Sequence, residues 1–104
     1  MTESPKYLLR IEHKEEFVPL EFPTKTELAT YIAQNKEGIN YFRLEMHYPG
    51  DVYSGSFIRA TLDNERFLKL TPPRTGEYGD SNSYAFPLKW DEAQIIRFLE
   101  ARLI

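Results

Sequence analysis

Tyr41-Phe42-Arg43-Leu44-Glu45-Met46-His47-Tyr48 sets Phe42, Leu44, Met46 and Tyr48 against Tyr41, Arg43, Glu45 and His47 without a break. A period of two is that of a strand with one buried face. Pro49-Gly50-Asp51 reads as a turn, and the next strand runs from Val52 to Leu62. Asp63-Asn64-Glu65 turns the chain again toward Leu68 and Leu70. With three residues in each turn, Phe42 faces Ile58, Tyr48 faces Val52, and the apolar sides agree. A two-residue turn at Asp63-Asn64 would then carry Leu68 to the other side, since a one-residue slip inverts every side chain. The centre of the chain is thus read as a three-stranded meander.

Upstream, Tyr7, Leu9 and Ile11 alternate with Arg10 and Glu12, and Val18, Leu20 and Phe22 alternate after a polar turn at residues 13–16. A hairpin pairing Ile11 with Val18 and Leu9 with Leu20 follows. Pro19 cannot donate to a ladder, which puts the second strand at an edge. Thr24 and Glu27 have the spacing of a capping box, Leu28, Tyr31 and Ile32 recur at helical spacing, and Gly38 supplies a stop. These signals predict a helix over 25–36.

Downstream, residues 71–83 are rich in turn formers and read as a long loop, which in so small a domain is usually functional or mobile. A short strand is expected at 84–88. Asp91 and Gln94 form a second capping box, with Trp90 placed to staple onto Ile95. Ile95, Ile96, Phe98, Leu99 and Leu103 continue as an apolar stripe. The order ββαβββ(β)α predicts an α+β two-layer sandwich. Its mainly antiparallel sheet has five or six strands, both helices pack on one face, and residues 1–104 form a single domain.

The 104 residues carry a net charge of −3 with both signs interspersed, and there is no cysteine. That composition excludes disulfides, thiolate chemistry and a cysteine-based zinc site, and no charge block reads as a nucleic-acid tail. Met1-Thr2-Glu3-Ser4-Pro5-Lys6 lacks the basic and apolar regions of a signal peptide. Apolar runs fall far short of the about 20 residues of a membrane helix. Cytoplasmic placement with no membrane partner is the expectation.

Motifs for catalysis are thin. Gly50 and Gly55 have the glycine spacing of a phosphate loop, but the lysine is missing and the segment enters a strand. Ser54 and Ser56 lack the frame of a nucleophile elbow; on the three-residue register they face the core opposite Met46 and Leu44, where small residues leave room for a helix to approach closely or mark a bulge. His13 sits in a charged turn. His47 and Glu45 could begin an acid–base pair or metal site, but no further ligand is indicated. No catalytic residue, metal site or cofactor is expected.

The remaining constellation is the outward side of the meander, which this register fills with Tyr41, Arg43, Phe57, Arg59, Phe67 and Lys69. Aromatics and arginines together mark protein interfaces. The same mixture serves single-stranded RNA or DNA, whose bases stack on rings while phosphates meet cations. The acidic chain, the interrupting Glu45 and the absence of an RNP1-like run favour a protein partner. A non-enzymatic module (regulator, inhibitor or adaptor) is the leading expectation, with Arg74, Tyr78 and Asp80 of the loop as further contacts. A homodimer, or a face covered by other parts of the chain, are the remaining readings.

Overall fold

The computed structural model describes residues 6–11, 19–73 and 83–103. Strand β1 (Lys6–Ile11) pairs with β2 (Leu20–Phe22), and α1 (Lys25–Asn35) follows, ending in a 3-10 turn at Lys36–Gly38. Strands β3 (Tyr41–Tyr48), β4 (Asp51–Leu62), β5 (Glu65–Thr71) and β6 (Tyr84–Pro87) lead to α2 (Glu92–Arg102). One antiparallel sheet in the order β2-β1-β3-β4-β5-β6 carries both helices on one side. This is the α+β two-layer architecture expected from the sequence pattern. No helix among the described residues is long and apolar enough to cross a membrane.

The alternation of β1 and β3 holds: Tyr7, Leu9, Phe42, Leu44 and Met46 are buried beneath the helices. Leu28, Ala29, Ile32 and Ala33 of α1 and Ile95 and Leu99 of α2 close the same core. Leu9 lies opposite Leu20, as the hairpin pattern requires, and β2 is an edge strand. The other expected pair is Ile11 with Val18, and Val18 lies outside the described residues.

The register across the meander differs from the expectation. Both turns have two residues, not three. Tyr48 lies opposite Asp51 around Pro49-Gly50, with Gly50 at φ 87°, and a proline followed by a positive-φ glycine is the type II combination. Leu62 lies opposite Glu65 around Asp63-Asn64, whose φ values of 52° and 64° are those of a type I′ hairpin. The first shortening inverts every side chain of β4, and the second restores the parity of β5. Phe57 therefore packs between Phe42 and Leu70 on the helix side and is fully buried. Arg59 is on that side too, opposite Leu68.

Gly55 also faces inward, and the chain leaving β5 crosses directly over it. A Cβ there would lie 2.0 Å from the Thr71 carbonyl oxygen and 2.8 Å from the Pro73 nitrogen. The helix approach expected over Ser54 and Ser56 does not occur: both serines point away from the core, and the close contact is made to Gly55 by this backbone.

The helix ends show which capping signals succeed. Thr24 Oγ1 accepts from the Glu27 amide at 3.2 Å, while the reciprocal half of that box is not made. Gly38 does not adopt a positive φ, so a left-handed residue is not what stops α1. Instead Arg59 Nη2 donates to the carbonyls of Lys36 (3.2 Å) and Glu37. Arg66 forks onto the Glu37 carboxylate at 2.7 and 3.2 Å. Two guanidiniums thus sit where unpaired carbonyls concentrate negative charge.

The box of α2 is complete: Asp91 Oδ1 accepts from the Gln94 amide at 2.8 Å, and the Asp91 amide donates to Gln94 Oε1 at 3.1 Å. Trp90 sets its ring against Phe86 and Phe98. Asp91→Ala is expected to lower stability by about 1 kcal/mol. Urea denaturation checks it, and an unchanged midpoint would remove the cap from the list of stabilising contacts.

Candidate functional site

With both helices on the inner side, the opposite side of the sheet presents a regular array of outward side chains. Cross-strand pairing arranges them in rows: Lys6–His47–Val52, then Leu8–Glu45–Ser54, then Arg10–Arg43–Ser56–Thr71. Beyond these come Tyr41–Ile58–Lys69–Ala85 and Ala60–Phe67–Pro87. Tyr41 (40 %) and Val52 (54 %) are exposed, and Ile58 and Phe67 are half-buried.

Of the expected site residues, Tyr41, Arg43, Phe67 and Lys69 stand together here. Phe57 and Arg59 do not; the two-residue turns carry both to the inner side, where one is core and the other caps α1. Arg74, Tyr78 and Asp80 lie outside the described residues. The pairing of Arg43 with Phe57 is replaced by Arg43 with Ser56, and that of Tyr41 with Arg59 by Tyr41 with Ile58. Lys69 lies opposite Ile58 and Phe67 opposite Ala60.

At the centre of the face is a charged knot that the sequence pattern suggested only as a blemish. Glu45 is 6 % exposed although it points away from the core. Arg10 Nε reaches its Oε1 at 3.0 Å and Arg43 Nε its Oε2 at 3.3 Å. His47 Nε2 lies 2.9 Å from Oε1, and Arg43 Nη2 donates to Ser54 Oγ at 3.2 Å. Arg10 and Arg43 are directly opposite one another in the ladder, an unfavourable pairing of like charges that the shared carboxylate offsets.

Burial pushes the Glu45 carboxyl upward, but the hydrogen bonds from His47 and Arg10 and the charges of Arg10 and Arg43 outweigh it. The net result is a pKa below the ordinary 4.5. A carboxyl depressed on folding binds fewer protons in the native state, so its stabilisation is full above pH 4.5 and is lost as pH falls through the folded value. Glu45→Gln is therefore expected to cost about 1.5–3 kcal/mol at neutral pH, with the gap from wild type closing in acid. Urea midpoints of the two proteins across pH check this, and a constant gap would contradict it.

The edges of the sheet are poor docking sites. β2 has three residues and is bracketed by Pro19 and Pro23, and β6 has four and contains Pro87. Short edges with proline resist strand addition. An open hollow of about 420 Å³ beside the end of α1 is lined by Tyr31, Asn35, Glu37, Ile39 and Phe42. Two of its polar side chains are engaged, Asn35 Nδ2 with the Tyr31 carbonyl at 2.8 Å and Glu37 with Arg66, and Gln34 also lines it.

Among the described residues, no group of three or more histidine, aspartate or glutamate side chains gathers as a metal would require. Compared with protein-family models, curated proteins and solved structures, the chain matches none.

Proposed function

We propose that the chain is a non-enzymatic interaction module, a regulator, inhibitor or adaptor, that binds a protein partner through the outer face of its sheet. One observation carries this reading. The side of the sheet opposite the helices combines accessible aromatic and aliphatic groups (Tyr41, Val52, Ile58, Phe67) with two half-exposed arginines. Aromatic and arginine anchors at the middle of a patch are the usual source of binding energy between proteins. The proline-blunted edges direct a partner to the face. A reducing, cytoplasmic setting suits a chain without cysteine.

Less supports a single-stranded nucleic acid. Phe57 and Arg59 are lost to that track, Glu45 offsets one of the two positive charges of Arg10 and Arg43, and the chain is acidic overall. The test is affinity capture with wild type and with a Tyr41→Ala/Phe67→Ala variant, both under nuclease. A protein retained by wild type and reduced about tenfold by a variant that still unfolds cooperatively supports the reading. Capture abolished by nuclease would transfer the face to nucleic acid, and recovery of this chain alone would make it a self-association surface.

A further inference from the structure

The charged knot has donors left over. Arg10 and Arg43 both meet Glu45 through Nε. Among the described residues, the terminal amino groups of Arg10 and the Nη1 of Arg43 make no hydrogen bond, while Arg43 Nη2 hydrogen-bonds only Ser54. Two guanidiniums against one carboxylate leave, among the described residues, one positive charge over, on a chain whose net charge is −3. The row that holds them contains no carboxylate. It continues across the sheet as hydroxyls, Ser56 and then Thr71, whose Oγ1 lies 3.0 Å from Ser83 Oγ. In the adjoining row Lys69 is exposed and meets no carboxylate among the described residues.

We propose that this face recognises an acidic segment of a partner protein, seating one of its carboxylates across the terminal amino groups of Arg10 and Arg43. The proposal rests on the outer face being the binding surface and adds what it reads. A carboxylate there would lie parallel to Glu45 on the far side of both guanidiniums, turning an opposed pair of like charges into an alternating set. Planar guanidinium forks favour such two-point contacts with carboxylates. A polyanionic strand, by contrast, needs a track of several uncompensated cations, and the described residues of this face offer one residual charge and Lys69. Tyr41 and Ile58, in the row beyond, supply the apolar contact for the remainder of the segment.

The experiment is an NMR titration of the full chain with an oligoglutamate peptide, with oligolysine and a single-stranded oligothymidine as comparison probes. Oligoglutamate is expected to shift the resonances of Arg10, Arg43 and Ser56, to weaken with added salt, and to bind about tenfold less tightly to Arg43→Gln. Lys69→Gln, which touches none of the Glu45 contacts, is expected to weaken binding by a smaller factor and keeps the test valid if Arg43→Gln unfolds. Arg97→Gln on α2 should change nothing. Absence of shifts on this face, equal affinity for Lys69→Gln and wild type, or tighter binding of oligothymidine would overturn the proposal. If the peptide fails while Tyr41→Ala/Phe67→Ala still releases a captured protein, the acidic specificity is wrong and the interaction face stands. Failure of both removes the face as well.

Discussion

Phe57→Ala is expected to destabilise the fold by about 3–5 kcal/mol, the cost of emptying a buried aromatic site. Phe57 is 0 % exposed and sits in mid-sheet between Phe42 and Leu70, in the core cluster to which both helices contribute. The void would open at the centre of the core, where packed neighbours on every side relax least. A domain's whole stability is about 5–15 kcal/mol, so this variant would be a marginally folded protein. The urea midpoint measures it. A loss under about 1 kcal/mol would return Phe57 to the surface and with it the three-residue register of the meander.

Gly55→Ala is expected to be nearly as damaging, for the opposite reason. Its Cβ would meet the Thr71 oxygen at 2.0 Å, the Pro73 nitrogen at 2.8 Å and the Pro72 carbonyl carbon at 2.9 Å. All three are backbone atoms, so no side chain can swing aside, and the end of β5 must lift from the sheet. The cost should reach or exceed the upper end of the about 1–3 kcal/mol usual for overpacking. Ser56→Ala, one residue on and pointing outward, should stay within about 0.5 kcal/mol of wild type. Equal midpoints for the two variants would contradict the crossing of the Thr71–Pro73 backbone over β4.

These two residues mark the limit of what pattern alone reveals. Capping at Thr24 and Asp91, the alternation within each strand and the edge position of β2 follow from local chemistry, and each is read from a few adjacent residues. Parity across a turn is different, because it hangs on a single residue. Pro49-Gly50-Asp51 and Asp63-Asn64-Glu65 each admit a two- or three-residue turn, and β4 is apolar enough on both sides to accept either: Val52 and Ile58 on one, Tyr53 and Phe57 on the other. Two errors of one residue cancel at β5, so Leu68 and Leu70 fall on the correct side while all of β4 is inverted. Asp63-Asn64 was the available clue, since adjacent residues tolerant of positive φ favour the two-residue hairpin that twisted strands prefer. Gly55 was the other, as a glycine at an inward position where another backbone approaches closely.

The same slip decides how the candidate site is composed. The outward placement of Tyr41, Arg43, Phe67 and Lys69 is legible because β3 and β5 keep their parity. The inward placement of Arg59 is not legible, since nothing local shows that the end of α1 lies above it and needs a donor. Glu45, read as an interruption, is the carboxylate that lets Arg10 and Arg43 stand opposite each other. Arg10 could have been found by pairing the outward residues of β1 with those of β3, which the N-terminal alternation allows.

Hydroxyl-radical footprinting, applied to the free protein and again with its captured partner, tests most directly whether the outer face is the one that binds. Tyr41 and Phe67 should be oxidised readily in the free protein and protected in the complex, while Phe57 and Phe86 stay unmodified in both. Protection confined to the helix side, or no oxidation of Tyr41 and Phe67 in the free protein, would contradict the assignment of the outer face as the interaction surface.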